Sequence, residues 1–417
     1  MTAGSLDRIG ASLRAGRATV WTREPTDAGR GSGVPVTLAD VADASARMER
    51  FRPALAKLFP ASGWDGRVRS ALLDYPVSPD LPARLLIKAD HALPMTGSVK
   101  ARGGVYALLR HVEQVALDEG VVRPGDDYLM LTSPAAARVF ARHVVAVSST
   151  GNLGFSIGLA ARAFRMRAQV HMSRDAKAWK KERLVRLGAQ VVEHDCDFTE
   201  TVARGREAAA RSGAAFIDDE TSRELFIGYA LAADEVIAQL AGRSITPTVA
   251  RPLVAYLPCG VGGAPGGVTF GLKARLGKAV VCVFVEPIAS AGMMAALAAG
   301  GRRAVSVYDV GLDNDTLADG LAVPTASQLV LDQVGHLIDG AVALPDAMMV
   351  EWVGRAWRAA ELRLEPSAAA SLAAVIPYLN DRPEMANATH LAWTTGGSLL
   401  PDPEFEAILQ QDCRQRE

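Results

Sequence analysis

Lysine is scarce in this chain: eight of its 45 basic residues are lysine, and the other 37 are arginine. Arginine is therefore the ordinary cation of the protein. A guanidinium stays protonated, whereas a lysine amine can be desolvated and used as a nucleophile. Each position that keeps a lysine is a candidate for chemistry that needs an amine.

Other absences exclude whole classes of protein. The formal net charge is −1, so charge gives no reason to expect nucleic acid or an anionic membrane as a partner. The four cysteines are scattered without metal-ligand spacing and none of the seven histidines lies in a metal motif, so no metal site is predicted. No apolar run is long enough to span a membrane, and the first residues lack the apolar core of a signal peptide. We therefore expect a cytoplasmic protein.

The chain of 417 residues is long enough for two or three structural domains. Short apolar segments alternate with helical segments after residue 83, which predicts parallel sheets with helices on both faces. The predicted domains are an N-terminal arm with helices over 1–80, a small domain over 126–216, and a large domain over 81–125 and 217–417. The predicted strands are Arg84–Lys88, Val144–Ser148, Ala168–Met172, Gln190–His194, Ala215–Ile217, Leu253–Leu257, Val280–Val285 and Leu391–Trp393.

Lys100 stands out because it lies among small residues, between Pro94 and Gly104, where a strand gives way to a helix. Ser98 is placed to cap that helix, and the neighbouring glycines let backbone or a flat ligand approach closely. The alternative, from this stretch alone, is a surface lysine on a helix.

A glycine-rich segment from Cys259 to Gly267 separates a strand from a helix predicted to begin at Val268. Such a turn directs backbone N–H groups and a helix N-terminus at one point, which suits a phosphate group. A dinucleotide fold competes with this interpretation: Pro265 interrupts its glycine pattern, but Glu286 after the next strand keeps it open. A tight turn without a ligand is the other alternative.

Two further strand ends carry polar residues. Ser149, Thr150, Gly151 and Asn152 offer hydroxyls, an amide and backbone donors, which can hold a carboxylate and a ring hydroxyl, although a serine or threonine there is also an ordinary helix cap. Thr395 presents a hydroxyl after the last predicted strand. An amine, a phosphate-binding turn and these polar strand ends together suit one ligand, pyridoxal 5'-phosphate (PLP).

Five motifs carry a resemblance to a known family. They resemble the D-serine dehydratase family, which belongs to the tryptophan-synthase-β-like (fold type II) PLP enzymes, and the similarity runs from about Leu38 to Pro401 with the motifs in the family order. The motifs are Thr96–Gly104, Ser149–Asn152, Phe216–Glu220, Gly260–Gly267 and Asp319–Val323.

The resemblance implies an α/β fold with two open, mostly parallel sheets flanked by helices and a partly helical N-terminal extension. It implies β-elimination of D-serine, a small amino acid, to pyruvate and ammonia by a monomer or homodimer. By position, Lys100 would hold PLP and act as a catalytic residue, Asn152 would bond the ring hydroxyl and Thr395 would meet the pyridine nitrogen. The residues that would bind the phosphate are Gly260, Val261, Gly262, Gly263 and Ala264.

The resemblance also places the substrate. Ser149, Thr150 and Gly151 would bind its carboxylate, with Thr150 counted among the catalytic residues. Asp219 would lie near the substrate hydroxyl as a further catalytic residue. The alternative for Asp219 is that it and Asp218 only cap a turn.

The departures from the family pattern at Thr96 and Ala264 are small. Two others, Pro324 and the segment Glu286–Ser290, leave the fine substrate preference open. One alternative is an enzyme of the same fold that acts on L-serine, L-threonine or another β-substituted amino acid. The other is a non-catalytic PLP-binding protein.

Overall fold

The computed structural model describes residues 3–24, 34–61, 63–149, 151–174, 176–196 and 198–416. The strands are β1 (Thr19–Thr22), β2 (Leu72–Asp74), β3 (Leu85–Lys88), β4 (Val144–Ser148), β5 (Arg167–Ser173), β6 (Gln190–His194), β7 (Ala215–Ile217), β8 (Leu253–Pro258), β9 (Val280–Pro287), β10 (Gly340–Leu344) and β11 (Thr389–Trp393). The helices are α1 (Ala3–Arg14), α2 (Leu38–Leu58), α3 (Tyr106–Asp118), α4 (Pro134–Phe140), α5 (Asn152–Ala163), α6 (Ala178–Leu187), α7 (Phe198–Ser212), α8 (Arg223–Ala230), α9 (Ala232–Ala241), α10 (Gly263–Leu276), α11 (Gly292–Ala298), α12 (Gln328–Val334), α13 (Asp346–Ala360), α14 (Pro366–Ala373), α15 (Val375–Asp381) and α16 (Asp402–Arg416).

The larger sheet has the strand order β1-β10-β9-β8-β11-β3-β2. Its five central strands run parallel, and an antiparallel strand closes each edge. Strands β8 and β10 are buried at every position. Continuous apolar segments of this kind are expected where helices cover both faces of a parallel sheet.

The smaller sheet has the order β6-β5-β4-β7 and is parallel throughout. Helix α6 ends at Gly188, whose φ of 84° is the left-handed conformation that a glycine adopts readily at a helix end. The predicted fold class, two mostly parallel sheets with flanking helices, is confirmed. The predicted domain boundaries stay a prediction.

The N-terminal extension is partly helical, as predicted, but it also completes the larger sheet. Strand β1 pairs antiparallel with β10, from Thr19 opposite Ala343 to Thr22 opposite Gly340. The long helix of the extension, α2, runs through Pro53 and begins with a capping box between Thr37 and Asp40. In the described part of the chain, no helix combines the length and the apolar character that crossing a bilayer requires.

Candidate active site

The predicted site residues meet in one pocket at the carboxyl ends of β4, β8 and β11, so both sheets contribute to its wall. Ligands of open α/β sheets bind in the crevice at such strand ends. Thr150 lies outside the described residues, and Gly151 adjoins the pocket wall next to Lys180. The predicted residues that line the pocket are Lys100, Ser149, Asn152, Asp219, Gly260, Val261, Gly262, Gly263, Ala264 and Thr395.

Lys100 stands at the start of a π-helical turn, Ala101–Val105, which continues into α3. Such turns occur often at functional sites. The expectation that Ser98 caps this helix was wrong, because the N-cap position is Lys100 itself and Ser98 Oγ is buried with no hydrogen-bond partner in the described structure. The amide of Val99 donates to Thr395 O at 2.8 Å, which ties the lysine segment to the end of β11.

A group of buried charged side chains lies behind the Lys100 turn, and we call Lys88, Asp90, Arg102 and Glu235 the buried ion network. Arg102 donates to both oxygens of Asp90, at 2.6 and 2.7 Å, and to Glu235 at 2.8 Å. Lys88 donates to Glu235 at 2.5 Å. Asp90 also accepts a hydrogen bond from Trp393 in β11 at 2.8 Å. The network thus fixes the turn that carries Lys100 against two strand ends.

Lys100 Nζ lies 2.7 Å from Asp219 Oδ2 inside the pocket. The other oxygen, Asp219 Oδ1, is buried and has no hydrogen-bond partner in the described structure. Asp218 behaves differently, since it accepts hydrogen bonds from the amide of Glu220 at 2.7 Å, the hydroxyl of Thr221 at 3.0 Å, and Arg206. The turn-capping alternative therefore describes Asp218, whereas Asp219 faces the pocket.

The glycine-rich segment forms the start of α10, which begins at Gly263 and not at Val268 as expected. Pro265 is compatible with this because a first-turn residue needs no N–H partner within the helix. The N-cap residue Gly262 has a φ of 105°, and no side chain caps the first amide groups. These amides and the positive end of the helix dipole adjoin the pocket, an arrangement that suits an anion.

Glu286, the residue that kept the dinucleotide alternative open, does not face this pocket. It is fully buried, and its two oxygens accept hydrogen bonds from the amides of Met293 and Met294, both at 2.8 Å. Burial raises the pKa of its carboxyl to about 8. Glu286 caps α11, so both of its oxygens are already in use and are not free to bind a ribose.

The segment around Asn152 begins α5. Ser149 Oγ accepts hydrogen bonds from the amides of Gly151 at 3.0 Å and Gly154 at 2.9 Å, so this serine does hold the helix start. Asn152 Nδ2 donates to Glu365 Oε1 at 3.1 Å. Glu365 is a pocket residue that the sequence analysis missed, and burial raises the pKa of its carboxyl.

Lys180 is the second charged residue of the pocket wall that was missed. It lies on α6, and its Nζ is 2.6 Å from Asp319 Oδ2, in the loop before α12. A signal for Lys180 did exist, because it is one of the eight lysines in an arginine-rich chain. Glu365 had only its position before Pro366, which any helix start could share.

The family of the chain follows from sequence comparison. The family model described as "Pyridoxal-phosphate dependent enzyme" matches residues 66–396. The chain belongs to this family. Its cofactor is therefore PLP, and the remaining question is how the pocket's own residues fit it.

Two relatives among those that match show how far the similarity extends. A protein of Chromobacterium violaceum is 46% identical, and the match covers 89% of this chain and 88% of that protein. A protein of Rhizobium leguminosarum bv. trifolii is 42% identical, over 95% of this chain and 96% of that protein. Both are named "Probable D-serine dehydratase".

Solved structures share the fold of this PLP-dependent enzyme at lower identity. Diaminopropionate ammonia lyase from Escherichia coli, in complex with D-serine, superposes with a TM-score of 0.73 at 16% identity, over 94% of this chain and 97% of that one. Maize serine racemase gives a TM-score of 0.66 at 17% identity, over 92% and 100%.

The pocket fits PLP and a substrate beside it. The first amides of α10 have no side-chain cap and adjoin the pocket, so they can hold the phosphate. The buried Asp219 Oδ1 has no partner in the described structure, so it can pair with a bound substrate. In the described part of the chain, no three potential metal ligands come together.

Proposed function

We propose that this protein catalyses PLP-dependent β-elimination of D-serine, with pyruvate and ammonia as products. Relatives that match it over most of their length are named as probable D-serine dehydratases. The observation that carries the proposal is the Lys100–Asp219 pair, an amine and a carboxylate 2.7 Å apart in the pocket. Loss of water from serine needs one group to take the α-proton and another to protonate the departing hydroxyl.

Lys100 Nζ is the group proposed to hold PLP, with the amides from Gly260 to Ala264 around its phosphate. Asn152 would donate to the ring hydroxyl, and Thr395 would lie at the pyridine nitrogen. When bound, PLP withdraws electrons from the α-carbon of the substrate. Thr395 brings no charge to the pyridine nitrogen, which limits that withdrawal and favours rapid elimination over transamination.

The Lys100–Asp219 pair can perform both proton transfers. Once its amine is free, Lys100 Nζ would take the α-proton of the substrate. Asp219 accepts a hydrogen bond from that amine through Oδ2, while Oδ1 has no partner among the described residues. The carboxyl can therefore take the proton from Nζ on Oδ2. After it rotates about the Cβ–Cγ bond, so that this oxygen takes the place of Oδ1, it can give the proton to a hydroxyl there, which leaves as water.

The segment Ser149, Thr150 and Gly151 is proposed to bind the substrate carboxylate. Ser149 supports this in two ways, since its oxygen accepts hydrogen bonds from two amides and thereby fixes the start of α5. Both of those bonds use the oxygen as acceptor, so the O–H remains to donate to a carboxylate.

Glu365 is proposed as a positioning residue for Asn152. It accepts one of the two hydrogens of Asn152 Nδ2, at 3.1 Å. The amide nitrogen is thereby directed into the pocket, and its second hydrogen is available to a ring hydroxyl. A flipped amide would place an acceptor against Glu365 Oε1.

The proposal is tested by pyruvate release from purified holoenzyme supplied with D-serine or with L-serine. Faster release from D-serine supports it. Faster release from L-serine contradicts the D-specific function, and a yellow, PLP-loaded protein that releases no pyruvate from either one is a binding protein without this activity. A cytoplasmic location and a monomeric or homodimeric state stay predictions alongside it.

A further inference from the structure

Lys180 occupies an unusual position for a lysine. Its side chain is 6% exposed, it lines the same pocket as Lys100, and it reaches that pocket from α6, beside the smaller sheet. A Cβ on Gly151 would lie 2.7 Å from Lys180 Cδ and 3.4 Å from Nζ. The ammonium group is therefore held against the backbone of the segment proposed to bind the substrate carboxylate.

Lys180 is the cation of the pocket wall that is available to a substrate carboxylate. The charged side chains of the described pocket wall are Lys100, Lys180, Asp219 and Glu365. Lys100 is paired with Asp219 and, under the proposed function, holds the cofactor. An amino acid brings a carboxylate into a wall that already carries two acidic groups, so the carboxylate needs a cation nearby. Lys180 is the cation of that wall that remains.

The partner of Lys180 can leave it at little cost. The side chain of Asp319 is 32% exposed, whereas that of Lys180 is 6% exposed. The Asp319 side chain can rotate away from Lys180 and be solvated by water. Lys180 is packed against Gly151 and stays in the pocket wall. A ligand carboxylate can therefore replace Asp319 while the lysine stays in place.

We propose that Lys180 binds the α-carboxylate of the substrate amino acid, and that Asp319 neutralises its charge until the substrate arrives. The proposal rests on the proposed function, because it assumes that an amino acid enters this pocket. It assigns the recognition of the carboxylate to a side chain of α6, in addition to the backbone and hydroxyl groups of the Ser149 segment.

The test removes the carboxylate from the ligand and the ammonium group from Lys180, separately and together. Alanine lacks a β-hydroxyl, so it binds without elimination, and alaninol is the same amine with the carboxylate replaced by a hydroxymethyl group. The dissociation constant of each is measured from the change in PLP absorption, on the holoenzyme and on Lys180→Met. We expect alanine to bind the parent more tightly than alaninol, and Lys180→Met to reduce that ratio by about 10²-fold.

Three further variants make the outcome specific. Lys180→Arg should recover part of the ratio, because it restores the charge with different geometry. Asp319→Asn should tighten alanine binding several-fold and leave alaninol binding little changed, since it removes the competing carboxylate. Lys181→Met is the matched control, because Lys181 is the next residue on α6, pairs with Glu193 at 2.6 Å, and does not line the pocket.

An unchanged alanine-to-alaninol ratio in Lys180→Met would overturn the proposal. A loss of PLP affinity in that variant with the ratio unchanged would also overturn it, and would assign Lys180 to the phosphate instead. If Lys180→Met does not fold, Asp319→Asn decides, because an unaltered alanine affinity there contradicts the exchange. Both enantiomers of each compound are used, so a pocket that prefers L-amino acids fails the D-serine proposal without failing this one.

Discussion

The buried ion network and the pocket beside it differ in how completely their charged side chains are paired. In the network, each of Lys88, Asp90, Arg102 and Glu235 has an oppositely charged partner within hydrogen-bonding distance. In the pocket, Asp219 keeps one buried oxygen without a partner in the described structure, and Glu365 is bonded to a neutral amide. The two regions share the turn that begins at Lys100.

This difference indicates that the buried ion network contributes to folding stability and the pocket to chemistry. A buried charge whose partners are all present resists change, because removal of any one of them leaves another charge uncompensated. A polar atom without a partner is unfavourable in the folded protein and is kept where a ligand completes its hydrogen bonds. We therefore expect network variants to lose folding stability and pocket variants to lose activity.

The largest effect is expected for Lys100→Ala. Without the amine, neither covalent attachment of PLP nor α-proton transfer at Nζ remains, so turnover should fall by about 10⁴-fold or more. Circular dichroism should show an unchanged fold. Mass spectrometry of borohydride-treated parent holoenzyme should find PLP on Lys100. The exposed Lys57→Ala is the control, and PLP found on a different lysine contradicts the site.

Arg102→Met tests the buried ion network. It leaves Asp90 buried without its ion-pair partner and Glu235 with Lys88 alone. The free energy of unfolding, measured with denaturant, should therefore fall by about 3–5 kcal/mol. Arg275→Met is the matched control, because Arg275 also binds an aspartate, Asp234, through two nitrogens.

The side chains of that control pair are 34% and 52% exposed, against 3% and 0% for Arg102 and Asp90. The control should lose no more than about 1 kcal/mol, as exposed ion pairs do. Equal losses in the two variants would mean that burial does not distinguish the network.

Asp219→Leu should lower turnover by about 10²-fold while it changes the free energy of unfolding by less than about 1 kcal/mol. The carboxylate is needed for proton transfer, but the fold gains little from an oxygen that has no partner. Asp218→Leu makes the contrast sharper, since Asp218 accepts three hydrogen bonds, two from its own turn and one from Arg206 of α7, and its loss should affect stability first. Full turnover in Asp219→Leu removes Asp219 from the mechanism.

Most of the fold could be predicted because strands such as β4 and β8 are continuous apolar segments that alternate along the chain with helical segments. Strand β10 was missed because Gly340–Leu344 is short and apolar, and periodicity does not distinguish such a segment from a buried helix. Strand β1 is four residues long and forms only by pairing with β10, which lies more than 300 residues along the chain. Pairing at that distance leaves no local pattern.

The site also has residues that could be predicted from the sequence and residues that could not. Residues at strand ends, such as Lys100, Asn152 and Thr395, could be predicted because backbone chemistry marks those turns. Their partners could not, because Asn152 and Glu365 are 213 residues apart and Lys180 and Asp319 are 139 apart. Such pairs are set by how the two sheets meet.

The smallest effect concerns Glu286, which lies between the two extremes of the comparison. Like Asp90 it is fully buried, but two backbone amides are its partners, with no cation among the causes that shift its pKa. Burial acts to raise the pKa of Asp90 as well, but Arg102 and Lys88 outweigh it and the pKa falls. Glu286 has its pKa raised to about 8, because two amides offset burial only in part.

A raised carboxyl pKa gives stability that is lost as pH rises. Between the ordinary value of 4.5 and about 8, the folded protein keeps a proton on Glu286 that the unfolded chain has released. The free energy of unfolding should therefore decrease with pH across this range. Glu286→Gln, which mimics the protonated side chain, should flatten the decrease by on the order of 1–2 kcal/mol between pH 6 and 8. Denaturant unfolding of parent and variant at several pH values measures this. If the free energy of unfolding depends on pH equally in the two proteins, the two amides stabilise the buried carboxylate as well as an arginine does.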